Sequence, residues 1–125
     1  MLQLILHLIG DYVTQSDWMA QNKTKSTWAA FVHATIYSLP FLIIASPLAV
    51  LVIWATHLLI DRFRLARYVA YGKNFIAPRS SWKPWSECSG TGYHKDTPPW
   101  LAVWLMIICD NTMHLAINYA AIIWF

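Results

Sequence analysis

The chain reads as an all-α, integral membrane four-helix bundle with one longer cytoplasmic loop between its third and fourth helices. Three features of the 125 residues carry that reading. Hydrophobic residues make up 58% and charged residues 12%, against about 45–50% and about 25% in an ordinary soluble domain. From Ser26 to Ile60 no Asp, Glu, Lys or Arg interrupts the apolar run. All nine Lys and Arg lie between Lys23 and Lys95, in two patches beside apolar segments, which is how loop charge sets membrane orientation. A mean hydropathy of +0.41 agrees with a lipid-facing exterior. Disorder and a disulfide-stapled scaffold are excluded, since the two cysteines, Cys88 and Cys109, lack the spacing of a zinc knuckle or a redox pair. The net charge of +3 is read as an orientation signal and not as a nucleic-acid surface.

Residues 1–125 form a single transmembrane domain, with spans expected at about 2–20, 26–45, 48–68 and 98–123. The first carries Asp11 and Gln15 and lacks the basic start and small-residue cleavage site of a signal peptide, so it is kept as a mature span. The uncharged run after it is too long for one helix and is divided at Pro40, Ser46 and Pro47, which gives the second and third spans. Arg62, Arg64 and Arg67 mark the end of the third. A polar segment follows, in which Trp82, Trp85, Cys88 and His94 read as interfacial loop residues. Pro98 and Pro99 then suit a helix start and open the fourth span. The first and third loops carry the basic residues and so face the cytoplasm, as in a multi-pass protein of a bacterial inner membrane.

The informative residues are those that a lipid-embedded helix ordinarily excludes. His7 and Asp11, His57 and Asp61, and Asp110 and His114 are each four residues apart, and His33 stands alone on the second span. Pairs at that spacing share a helix face. Gln15 and Asn118 extend the first and last rows by another turn. At 1.5 Å per residue the seven ionisable groups start roughly 9 Å below the basic end of each span and overlap in depth, so four helices can bring them to one site. A membrane-centre Asp costs about 2.5–3.5 kcal/mol. Three such residues cost roughly 8–10 kcal/mol, comparable to the whole stability of a small protein, and packing alone is a poor reason to carry them.

Neutral imidazole with carboxylate is the ligand set of Zn²⁺, Mn²⁺ or Fe²⁺. One or two divalent ions held by His7, Asp11, His33, His57, Asp61, Asp110 and His114 would neutralise the carboxylates, and no intramembrane Lys or Arg competes for that task, since Arg62, Arg64 and Arg67 mark the end of their span. Bis-His haem would leave the three Asp without a role. A di-iron carboxylate site would need Glu in the spans, and they contain none. A proton or cation relay built from Asp and His stays open.

These residues carry a resemblance. His7, Asp11 and Gln15, running on to Asn22 and Lys23, then His33, His57 with Asp61, and Asp110 with His114, are similar to the domain-of-unknown-function family 3307, small membrane proteins of bacteria and their phages. The likeness takes in all four spans and leaves out the polar loop. More distantly the His/Asp helices resemble bacterial inner-membrane proteins classed as metal-dependent hydrolases. The near family implies no activity, whereas the distant one implies hydrolysis.

The function expected on these grounds is a membrane-embedded, metal-dependent hydrolase acting on a phosphate ester of a lipid or polyprenyl substrate. Its nucleophile would be a water activated by the ion. Asp61 and His33 are the candidate catalytic groups, with Asp61 as general base because it is the shallowest. Gln15, Lys23, Arg62, Arg64 and Asn118 are the candidate substrate-binding residues, and the partner is membrane lipid. The rival is a non-enzymatic phage or bacterial membrane factor, either a host-exclusion protein or an ion- or proton-binding transport protein.

Overall fold

A computed structural model describes all residues from Met1 to Phe125. It is all-α: seven α-helices with short π and 3₁₀ segments and no strand. By contacts the chain divides into two compact units, Met1–Phe63 with His114–Phe125, and Arg64–Met113.

The first unit opens with α1, Leu2–Leu8, which runs into a π-helical segment, Ile9–Val13. Ser16 then stops the helix, its Oγ accepting from the Met19 amide to start α2, Asp17–Asn22. The expected first span, 2–20, is therefore two short helices. The sequence carries the reason, because a Ser followed by Asp is a strong helix start. Ser26 caps α3, Thr27–Ser38, and Pro40 tightens its continuation into a 3₁₀ segment, Leu39–Ile43. Ser46 accepts from the Ala49 amide and donates to the Phe125 carbonyl, and with Pro47 at the first position it starts α4, Pro47–Phe63.

Helices α3 and α4 pack through small residues. On α3 the buried face is Ala30, His33, Ala34 and Tyr37, and on α4 it is Ala49, Ile53, His57, Ile60 and Asp61. Both rows repeat at helical spacing, and the alanines let the two backbones approach closely. Leu6, Tyr37, Phe41, Ala49, Ile53 and Ala121 form an apolar layer beside the polar face. Gly10 has a specific job here: a Cβ at this position would run into the Tyr37 ring.

The second unit begins at Arg64, whose φ of 52° places a non-glycine residue in the left-handed region and ends α4. Helix α5, Ala66–Lys73, follows, so the expected third span, 48–68, also breaks in two. The loop beyond it contains α6, Trp85–Cys88. Gly92, at φ +88°, lies so close to the Arg67 carbonyl that a side chain has no room. Helix α7, Pro99–Trp124, has 26 residues and is the one helix long and apolar enough to cross a membrane by length and composition. Leu2–Val13 and Thr27–Ile43 are shorter apolar helices.

Candidate metal centre

Asp11 sits in the π-helical segment, where a widened turn re-aims its side chain. His33 comes from α3, and His57 and Asp61 come from successive turns of one face of α4. All four are buried, and each offers a ligand atom within 4.8 Å of the others. The atoms are specific. His33 Nε2 lies 3.0 Å from His57 Nε2, 3.1 Å from Asp11 Oδ1 and 3.2 Å from Asp61 Oδ2. His57 Nε2 lies 3.4 Å from the same Asp11 oxygen and 3.1 Å from the same Asp61 oxygen.

Two nitrogens and two oxygens therefore enclose one point, with five of their six separations between 3.0 and 3.4 Å. An ion holding N and O ligands at about 2.0–2.1 Å in a tetrahedron sets them about 3.3–3.4 Å apart. A six-coordinate ion at similar bond lengths sets neighbouring ligands about 3.0 Å apart. The cluster has the dimensions and the donor chemistry of a divalent metal site in either geometry.

The far oxygens of both carboxylates are also held. His7 Nδ1 is 3.4 Å from Asp11 Oδ2, and His114 Nε2 is 3.6 Å from Asp61 Oδ1. Such outer partners orient ligating carboxylates. The imidazoles are held differently, since His33 Nδ1 and His57 Nδ1 are buried without a hydrogen-bond partner. His57 is instead fixed by rings, with Tyr37 stacked on it at 3.7 Å between centroids and His114 at 4.1 Å on the α7 side. Tyr37 Oη accepts from Asn118 Nδ2 at 2.7 Å and lies 2.7 Å from His7 Nδ1. The polar chain from Asp61 to Asn118 then meets the apolar layer of Leu6, Phe41, Ile53 and Ala121.

Of the seven expected ligands, the structure brings Asp11, His33, His57 and Asp61 to one point and sets His7 and His114 behind them. Asp110 belongs to the second unit, half-buried on α7 one turn before His114. Of the expected substrate contacts, Gln15 donates to the Asp11 carbonyl and buries an unpartnered Oε1. Asn118 is buried on Tyr37. Arg62 donates to the Thr24 carbonyl and the Thr27 hydroxyl, and Arg64, in the second unit, donates to the Gly90 carbonyl.

Lys23 departs most from the sequence reading, which put no Lys or Arg among the buried carboxylates. Its Nζ lies 2.9 Å from Asp61 Oδ2 and 3.3 Å from His33 Nε2. The cause is the break at Ser16: α2 ends at Asn22, and Lys23 is its C-terminal cap, at the turn into α3. Tyr37 was not singled out from the sequence. The signal was present, because Tyr37 stands four residues after His33 and extends its polar row.

The chain is all-helical and buries a converging His/Asp cluster that could hold a metal ion. The chain belongs to the family described as protein of unknown function DUF3307, whose model matches residues 1–86. That stretch includes Asp11, Lys23, His33, His57 and Asp61 and takes in much of the polar loop, whereas α7 lies beyond it. The resemblance read from the sequence had instead taken in the fourth span and left out the loop. No curated protein and no solved structure matches the chain.

Proposed function

We propose that this protein is a multi-pass membrane protein whose centre holds one divalent ion and hydrolyses a phosphate ester of a membrane lipid or polyprenyl substrate. The observation that carries it is the convergence of His33 Nε2, His57 Nε2, Asp11 Oδ1 and Asp61 Oδ2 at metal-ligand spacing inside a chain that exposes many large apolar side chains. Leu4, Ile5, Phe31, Leu42, Leu51, Trp104 and Ile123 are all exposed, while His7, His33, His57, His114, Asp11 and Asp61 are buried. A buried His/Asp cluster beneath exposed apolar surface on this scale supports contact with a membrane. Helices shorter than the roughly 30 Å hydrocarbon core are accommodated by local thinning of the bilayer or by flanking residues that reach the interface.

Charge supports one ion. Asp11 and Asp61 bring two negative charges and Lys23 one positive charge. With neutral imidazoles, a single divalent ion leaves one net positive charge, suited to a phosphate. A divalent ion held there by Asp11, His33, His57 and Asp61 would supply Lewis-acid activation of a water. In the hydrolysis, water would add to phosphorus as the bond to the lipid oxygen breaks. Asp61, with Oδ1 beside His114, would take the proton from the attacking water and pass it to the leaving oxygen. The Lys23 side faces the substrate. The apolar layer behind Tyr37 favours a site open to one face over a pore.

A second reading has its own support. Four protein donors complete a four-coordinate ion, and a closed site of that kind is structural. An ion-binding membrane factor without activity fits that geometry. The experiment that separates the two is phosphate or headgroup release from mixed phospholipid and polyprenyl phosphate vesicles by metal-loaded protein. Turnover is expected in the wild type, with a fall of roughly 10²-fold or more in Asp61→Asn. Absence of turnover on both lipid classes with the ion bound would leave the non-enzymatic reading.

A further inference from the structure

We infer that Lys23 is a tethered counter-cation of the centre: it occupies the coordinating face until a divalent ion displaces it, and so sets which ions the site accepts. The inference rests on the metal reading and adds the control of access to it.

Two atoms carry it. Lys23 Nζ touches Asp61 Oδ2 and His33 Nε2, both of which belong to the converging set. An ammonium has only protons to give, so Asp61 Oδ2 accepts from it, and His33 Nε2, which also lies 3.1 Å from Asp11 Oδ1, accepts from it only in the tautomer with the proton on Nδ1. That tautomer presents the lone pair an ion would use. Lys23 and a metal ion therefore contend for one carboxylate oxygen and one imidazole nitrogen and cannot both hold them.

Exposure identifies Lys23 as the entrance. Its side chain is 17% exposed, against 8% for Asp11, 4% for Asp61, 0% for His33 and 1% for His57. The backbone around it is fixed: Arg62 grips the Thr24 carbonyl and the Thr27 hydroxyl, and the Lys23 amide donates to the Met19 carbonyl. The long side chain can then swing while its root stays in place.

The ionic consequence follows from charge. A tethered ammonium is present at a high effective concentration, and a monovalent ion that replaces it gains no charge. A divalent ion gains twice the attraction to Asp11 and Asp61 and can displace it. The displaced ammonium stays at the mouth, where an anionic group would meet it after the metal has entered.

The test is Zn²⁺ binding by calorimetry on the full chain in mild detergent, with and without 0.5 M NaCl. Lys23→Met and Lys23→Gln are expected to bind Zn²⁺ about tenfold or more tightly than wild type, and to lose more of that affinity to NaCl. Lys23→Arg, which keeps the charge, should stay within about threefold of wild type. If wild type binds Zn²⁺ and the neutral variants bind it equally or more weakly, the tethered-cation role is wrong and the metal reading stands. If no form binds Zn²⁺, the metal reading fails and this inference fails with it.

Discussion

Tyr37 shows how a single side chain can organise this centre. A ligating imidazole is usually aimed by a hydrogen bond to its second nitrogen, and His57 lacks one. Its ring is stacked on Tyr37 and packed against His114, while the Tyr37 hydroxyl joins Asn118 and His7. Stacking and hydrogen bonding can be separated experimentally. Tyr37→Phe keeps the ring and should hold Co²⁺ with a visible spectrum close to that of wild type, whereas Tyr37→Leu frees His57 and should change the spectrum and weaken binding by roughly tenfold. Equal spectra in wild type and Tyr37→Leu would remove Tyr37 from the centre. Most of this chemistry was legible in the sequence, because His and Asp at four-residue spacing in apolar helices have few other uses. Lys23 was legible as a candidate substrate contact, but its ion pair with Asp61 was not, since its charge assigned it to a basic loop.

Helix boundaries were the less legible level. An apolar pattern cannot distinguish a continuous 2–20 helix from α1, a π segment and α2, and only the capping chemistry of Ser16 carried that information. The π turn places Asp11, so the interruption is part of the site. Arg64, in the left-handed region without being a glycine, offered even less warning. In the loop before α7, Glu87 accepts from His94 Nε2 at 2.8 Å and from Lys95 Nζ at 3.2 Å. The His94 bond, followed by the Lys95 bond and charge, holds the Glu87 carboxyl below its ordinary value of 4.5. A lowered carboxylate contributes to folding above its unfolded value and loses that contribution as pH falls through the folded one. Carbon-detected NMR should therefore show Glu87 titrating below 4.5 in wild type and moving back toward it in His94→Ala. A Glu87 midpoint unchanged by that substitution would contradict the pairing.

Taken whole, the chain buries His7, Asp11, His33, His57, Asp61 and His114 and exposes many large apolar side chains, while Leu6, Phe41, Ile53 and Ile60 stay in its core. The excess of apolar side chains was readable from composition, whereas the division into two units was not, because contacts and not hydropathy decide it. If the basic loops face the cytoplasm, a cysteine introduced at Lys83 should resist a membrane-impermeant thiol reagent in intact cells and react after permeabilisation, in a background with Cys88 and Cys109 replaced. Labelling in intact cells would reverse the proposed orientation and the side from which substrate arrives. The central claim is the metal, and elemental analysis of protein purified in mild detergent without chelator tests it most directly. The expected result is close to one divalent ion per wild-type chain and little in Asp11→Asn or His33→Ala of the same fold. Less than about a tenth of an ion per wild-type chain, or equal content in the two variants, would contradict it.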